Sequence, residues 1–428
     1  MDYPKKLTVE QKIKMIREFK DIGQIELGEV IGVSDSTICR YESDAEEHKH
    51  LKYTVEHIIA FKKHFGIKHA PILDEEYPIY KTTLYGWLTA MRDENTEESD
   101  ILKQELSDIF LVPWDFELTL LYLIFEAKWL LLKARLKEAE EKLKLVRKKI
   151  ENASNEVLYE FYYTCGSLGI HKENYDEALN CFLEAEKIVI DGFDMSDKEI
   201  ALEYNIAYCY SEIGKYVNSI AILDRTCRPY NFKRANTLQL NIFNLLALNY
   251  MRLGNTEKAM QLFDRGLTDA TSLGINSYIL TFLHNIGCTY FNDKNYRKAL
   301  DYFDKVLGQI EKGHKKYLVN FYFKACCLSI TKRHDLEIIL QHGKSISKDN
   351  EVYAMLFEAL SHLRTLKEKE SLNFVQNEVI PYLIKKRKYS FAIFYCERVK
   401  EYYISRTRTQ KVLEMDSVML DITRKMLK

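Results

Sequence analysis

YNIAYCYSEIGKYVNSIAIL, residues 204–223, places one small residue, Ala207, three positions before Tyr210, nine before Tyr216, twelve before Ser219 and sixteen before Leu223. The same offsets recur from Gly166 (Tyr175, Ala178, Phe182, with Ala185 beyond), from Ala247 (Tyr250, Ala259, Phe263) and from Gly287 (Tyr290, Tyr296, Ala299, Phe303). Ala127 with Leu130, Leu136, Ala139 and Leu143 extends the series toward the N-terminus, and Cys327 with Ile330 and Ile339 is a degenerate last unit. The anchors lie about forty residues apart, a period that marks stacked helical pairs. Small anchors let two antiparallel helices approach closely, and the aromatics are expected to fill the space between one pair and the next.

Composition agrees with a helical body. The 428 residues are 46% hydrophobic and 29% charged, with a net charge of -1 and only 16 Gly and 6 Pro, so turns are scarce and loops short. Nine cysteines (39, 165, 181, 209, 227, 288, 326, 327, 396) form no CxxC pair, which argues for reduced thiols and a cytoplasmic location. The most apolar run, LTLLYLIFEAKWLLL (118–132), is too short to span a bilayer and is broken by Glu126 and Lys128. No membrane partner is expected.

The order of small residue, Tyr, Ala and Phe resembles the tetratricopeptide repeat, whose usual period is about 34 residues; longer helices stretch every unit here. Beyond residue 345, VYAMLFEALSHL, LNFVQNEVIPYLI, YSFAIFYCERVKEYY and KVLEMDSVMLDITRKML keep helical periodicity and read as the last pairs and a capping helix. Three prolines (71, 78, 113) and HAPILDEEYPIYK (69–81) separate this body from an opening segment, with KTTLYGWLTAMRD and ESDILKQELSDIF as two linking helices. The expected fold is all-α: a helix-turn-helix bundle over 1–70, linker helices over 71–118, and a right-handed superhelix of tetratricopeptide-like hairpins over 119–428.

In the opening segment, TVEQKIKMIREFK (8–20) and IELGEVI (25–31) read as helices, Gly32 and Val33 as a turn, and Ser34 as the N-cap of a third helix, Ser34 to Glu42. Leu27, Val30, Val33 and Ile38 face inward, leaving Asp35, Ser36, Thr37 and Arg40 outside, and Thr54 caps VEHIIAFKKHFGI. LGEVIGVSDSTICRYE resembles the lambda-repressor-like, or XRE, DNA-binding domain over residues 7–69 in its turn, its cap, its inward apolar positions and its closing Tyr41-Glu42 pair. That resemblance implies a third helix in the major groove, with Ser34, Ser36, Thr37 and Arg40 at bases or backbone and Gln24 at a phosphate. One such domain covers little DNA, so a homodimer on a pseudo-palindromic double-stranded operator is expected. Residues 1–70 carry twelve Lys/Arg against twelve Asp/Glu, so bulk charge does not itself advertise nucleic acid.

The first helix of each repeat lines a wall suited to an extended peptide. Asn205 precedes Ala207 by two and Asn285 precedes Gly287 by two, while Asn244 sits one position off in the unit between. An asparagine offers donor and acceptor together, which can clamp a peptide main chain without reading its sequence. YNIAYCY and HNIGCTY, behind an XRE-like head, resemble the Gram-positive quorum-sensing peptide receptors, the Rap, Rgg, NprR, PlcR and PrgX group, and length and repeat number are most similar to the NprR branch. The resemblance implies that Asn205 and Asn285 hold an imported signalling peptide, with Asn244, Tyr163, Tyr204, Tyr208, Arg252 and His284 as further contacts. It equally allows a repeat protein that binds a response regulator beneath a vestigial head.

Other chemistry is thin. His48, His50, His57, His64 and His69 cluster without a zinc-ligand spacing and read as surface histidines. There is no phosphate-cradling glycine loop, no GxSxG and no paired-carboxylate motif, so neither catalytic residues, metal nor cofactor are expected. KEAEEKLKLVRKK (137–149) reads as a solvated helix face.

Overall fold

The computed structural model describes residues 7–43, 45–67, 72–73, 77–93, 95–110, 115–190, 196–227, 237–314, 316–331 and 336–426, and among these there is helix and turn but no strand. Within the stretch 69–81 that sequence reads as a connection, residues 69–71, His69 and Pro71 among them, and 74–76 lie outside them, as does Pro113. The chain forms two compact units, 1–202 and 203–428.

The first unit opens with α1 (Val9–Phe19), α2 (Gln24–Ile31), α3 (Asp35–Tyr41) and α4 (Val55–His64). Capping fixes their starts. Thr8 and Gln11 make a reciprocal capping box on α1, Thr54 and His57 do the same on α4, and Ser34 accepts from the Thr37 N–H at 3.2 Å. The turn between α2 and α3 needs two glycines for different reasons. Gly32 takes φ +77°, a left-handed conformation, whereas a Cβ on Gly28 would sit 2.5 Å from the Val33 carbonyl oxygen. Leu27 and Ile38 are fully buried and Val30 and Val33 half-buried, as their spacing predicts.

Two helices follow, α5 (Tyr77–Arg92) and α6 (Thr96–Ile109), and then the hairpins α7 (Phe116–Leu132) with α8 (Leu136–Arg147) and α9 (Asn155–His171) with α10 (Tyr175–Ile190). Leu84 and Trp87 of α5 are fully buried, and one apolar core runs from Leu7 through them to Leu168. The Lys12 ammonium also donates to the Ile72 carbonyl at 3.3 Å. Glu160 of α9 is buried between Lys128 of α7 and Lys198, with Lys198 at 2.6 Å; burial pushes its carboxyl up, but the two ammonium groups together outweigh that and hold it below the usual range.

The hairpins continue through α11 (Ser196–Glu212) with α12 (Tyr216–Thr226), α13 (Thr237–Arg252) with α14 (Thr256–Ser272), α15 (Asn276–Asn292) with α16 (Tyr296–Leu307) and α17 (Tyr317–Ile330) with α18 (Leu336–Ile346). The chain closes with α19 (Glu351–His362), α20 (Lys369–Phe374), α21 (Ile380–Lys385), α22 (Tyr389–Ser405) and α23 (Thr409–Met426). The repeat offsets acquire a physical meaning here. A Cβ on Gly166 would meet the Phe182 ring at 2.6 Å and one on Gly287 the Phe303 ring at 2.8 Å, so the aromatic sixteen positions on packs over the anchor of its own pair. Contact between pairs uses a different small residue: Gly266 of α14 lies under Phe282 of α15, where a Cβ would approach to 2.2 Å. Aromatics therefore pack in both places: those sixteen positions beyond an anchor lie inside their own hairpin, whereas Phe282 over Gly266 and Phe357 over Gly343 fill the gap between one pair and the next, where a Cβ would come still nearer, to 2.2 and 2.3 Å.

YSFAIFYCERVKEYY also differs from expectation. Its apolar content reads in sequence as a surface needing a second subunit, but Ala392, Tyr395, Cys396, Val399 and Tyr403 of α22 are buried in a core shared with α17, α19, α21 and α23. The chain covers this face itself.

Candidate functional site

On α3, Asp35, Ser36 and Arg40 are exposed and Thr37 half-buried. The Ser34 hydroxyl lies 2.8 Å from that of Ser36 and 2.9 Å from that of Thr37, and Arg40 Nε donates to the Ser36 carbonyl at 3.2 Å. Four of the residues expected to meet DNA thus belong to one helix, Ser34, Ser36 and Thr37 at its start and Arg40 in its last turn, with the Arg40 guanidinium otherwise in solvent. Gln24 is the first residue of α2, and its amide donates to Glu42 at 2.9 Å. Glu42 is buried and receives Arg17 in a bidentate pair, Nε to Oε1 at 2.8 Å and Nη2 to Oε2 at 2.7 Å; Arg17 Nη1 reaches the Ile22 carbonyl at 2.8 Å. This clamp joins α1, the start of α2 and the end of α3. Sequence reading missed Arg17, because nothing in the spacing of residues 17 and 42 signals a pair.

Of the clustered histidines, His57 is held in its capping box, its Nδ1 accepting from the Thr54 N–H at 3.3 Å, and His64 lies 4.8 Å from Phe65 ring to ring. Among the described residues, no three His, Cys, Asp or Glu side chains are placed to hold a metal ion.

In the second unit, side-chain bonds step from the first helix of one hairpin to the first helix of the next. Tyr278 of α15 donates to Asn241 of α13 at 2.8 Å, Asn285 of α15 donates to Asn244 of α13 at 2.6 Å, and His284 of α15 meets Asn320 of α17 at 2.9 Å. Asn320 is fully buried and gives its amide N–H to the Lys316 carbonyl at 2.7 Å, so its Oδ1 accepts from His284 Nδ1–H. That leaves His284 Nε2 facing the Cys288 thiol at 3.5 Å, and burial lowers the imidazole pKa, so the ring is neutral. Asn244 and Asn285 are only half-buried. After their mutual bond, Asn244 keeps its amide donors and Asn285 its acceptor oxygen for a ligand.

The remaining expected contacts are placed as follows. Asn205 is half-buried on α11, near the stacked rings of Tyr204 and Tyr208, 6.4 Å apart, and burial pushes the Tyr204 hydroxyl up to about 12. Tyr163 belongs to the first unit, where it stacks on Tyr159 at 5.9 Å and lies under the Lys128 ammonium at 5.1 Å. Arg252 ties α13 to α11: Nη1 donates to the Ser211 hydroxyl at 2.8 Å and the guanidinium sits 5.3 Å over Tyr216. Behind the face runs a buried chain that sequence reading did not find. Ser211 donates to Asn249 at 2.6 Å, Asn249 to Ser219 at 2.8 Å, and Ser219 to the Ala207 carbonyl at 2.6 Å. Its signal was visible, since Ser219 occupies a position that is Ala in the neighbouring units.

Two tetratricopeptide repeat models match the chain, over residues 240–268 and 279–308, which are the hairpins α13–α14 and α15–α16. The transcriptional activator NprA of Geobacillus stearothermophilus is 21% identical over 334 residues, covering 75% of this chain and 82% of NprA. The solved structure of the apo quorum sensor NprR from B. thuringiensis matches with a TM-score of 0.69 at 21% identity, over 82% of this chain and all of that one. The chain is a homologue of the NprR and Rap proteins. Among these relatives, NprR in complex with its cognate peptide NprX matches with a TM-score of 0.52 at 21% identity, over 80% of this chain and 99% of that one. Response regulator aspartate phosphatase I of Bacillus subtilis is 22% identical over 304 residues, covering 67% of this chain and 76% of the phosphatase. No described helix of this NprR-like chain is long and apolar enough to cross a membrane.

Proposed function

We propose that this protein is a cytoplasmic transcriptional regulator whose DNA binding is controlled by a short signalling peptide held on the first-helix face of its repeats. The observation that carries the reading is the capped α3, with Ser36 and Arg40 exposed and Thr37 half-buried beside them, on a chain whose second unit presents the half-buried Asn244–Asn285 pair. The relation to NprA and to a quorum sensor solved with its peptide supports it. In this scheme α3 enters the major groove, Arg40 reads a base edge or phosphate, and two heads of a homodimer meet half-sites about 34 Å apart. The division of labour follows the expected domains: 1–70 reads DNA, 71–118 connects, and 119–428 binds peptide and the second subunit.

The test is footprinting on the DNA upstream of the chain's own gene. Arg40→Ala should weaken specific binding roughly 10- to 100-fold, the worth of one base contact, with repeat fold and oligomer intact. An unchanged footprint would remove the proposed docking. For the peptide, synthetic fragments of short reading frames beside the gene are titrated calorimetrically. Asn244→Ala with Asn285→Ala should weaken binding at least about tenfold while leaving peptide-free DNA affinity unchanged; equal affinities would sink the clamp. A peptide can move DNA affinity only by binding the two states of the protein unequally.

A second reading, capture of a response regulator by the repeats, is favoured by the relation to response regulator aspartate phosphatase I and by the balanced charge of residues 1–70. Repeat-dependent binding of a purified response regulator, with no footprint, would decide for it.

A further inference from the structure

Where α15 ends, the second unit holds a cavity of about 420 Å³ walled by Phe291, Tyr322, Phe323, Phe391 and Phe394. The rings support one another: Phe291 lies 5.3 Å from Phe323 and 5.8 Å from Phe394, and Tyr322 5.4 Å from Phe391. Tyr322 cannot turn its hydroxyl inward, because it is bonded to Tyr395 at 2.9 Å. The wall is therefore apolar and fixed. The cavity's size is that of a pocket for a small ligand or one large side chain.

Its polar edge is cationic where it matters. Arg398 of α22 stands over Phe394 at 5.6 Å and gives Nη2 to Glu401 at 2.8 Å. Its Nε–H is buried and meets no acceptor among the described residues. A buried guanidinium N–H without an acceptor is costly, and a carboxylate is the acceptor its planar fork suits best. Lys294, at the turn into α16, adds a second cation, while Glu397 faces the same opening from α22 and discriminates against ligands of higher negative charge.

Asn292 also lines the cavity. It lies two helical turns beyond Asn285 on the same face of α15, about 10 Å along the axis and within reach of about three extended residues. From this placement the geometry points to a seat for the C-terminal residue of the bound peptide, a large apolar residue whose side chain enters the aromatic cavity and whose free carboxylate takes Arg398 Nε. The assignment rests on the peptide-binding reading above. It selects a peptide ending in an apolar residue, because only a chain terminus offers a large apolar group and a carboxylate on one residue.

The experiment uses three defined probes, N-acetyl-Ala-Ala-Phe, its C-terminal amide and N-acetyl-Ala-Ala-Ala, titrated into the full chain and followed by ligand-detected NMR. The free acid should bind, with the amide and the all-alanine acid each at least about tenfold weaker. Arg398→Met, which keeps an aliphatic stem over Phe394, should bring the acid down to the affinity of the amide and leave the amide unchanged. The Asn244→Ala, Asn285→Ala chain should bind the free acid as the unaltered chain does, so failure of the asparagine clamp and failure of this seat are read separately. Equal affinity for acid and amide on the unaltered chain, which needs no variant to fold, overturns the assignment. So does absence of saturation at millimolar acid.

Discussion

Glu42→Ala tests whether α3 is held by charge pairing rather than by apolar packing alone. The side chain of Glu42 is 2% exposed and that of Arg17 11%, so the substitution leaves a mostly buried guanidinium with the Ile22 carbonyl and a looser pair to Glu18 at 3.7 Å, and also strips Gln24 of its acceptor. Removing one partner of a buried pair typically costs about 3–5 kcal/mol. Because the core of the head is continuous with that of α5 to α9, the loss is shared by a cooperative unit of roughly 200 residues, in which each kcal/mol shifts Tm by about 2–4 °C. The expected drop is therefore about 6–20 °C. All 3 tryptophans, at positions 87, 114 and 129, lie in the first unit, so tryptophan fluorescence on heating reads this unit alone. Replacing the pair together, Arg17→Met with Glu42→Leu, should recover more than half of the loss, since no charge is then left buried. A drop under about 2 °C for Glu42→Ala, or a double variant as unstable as the single one, would refute the clamp.

Two further outcomes follow from the second unit. Burial lowers His284 below its ordinary value of 6.5, so the unfolded chain takes up the proton first as pH falls. The stabilisation is full above 6.5 and is lost progressively as pH falls from there through the lowered folded value; urea midpoints at pH 7.5 and 5.5 should show this, and His284→Gln should flatten the difference. Gly266→Ala forces a Cβ to 2.2 Å from the Phe282 ring, an overpacking of about 1–3 kcal/mol only partly offset by alanine's better helix propensity. Circular dichroism in urea should show a net loss, and Phe282→Leu in the same chain should restore part of it. A stabilised Gly266→Ala would mean that the two hairpins are free to move apart.

The helical body was legible in the sequence because its constraint is local and repeated. A small residue under an aromatic sixteen positions later is a contact inside one hairpin, set by helix length and turn, so it survives as a fixed offset from Gly166 to Gly287. The head was legible for a similar reason: Gly28, Gly32 and Ser34 are dictated by backbone approach, a positive φ and an orphan N–H within seven residues. What joins distant segments was not legible. Arg17 and Glu42 are 25 residues apart and obey no period. Among the asparagines, spacing within the repeat made Asn205 and Asn285 equivalent and put Asn244 one position off as a further contact, yet Asn244 is the residue that Asn285 bonds. Register within a repeat is fixed by the 100° turn per residue of one helix, whereas the meeting of two first helices depends on how their hairpins pack. The apolar run on α22 was misread on the same ground: hydrophobicity in sequence says that a face must be covered, and only tertiary packing decides that the chain's own helices cover it.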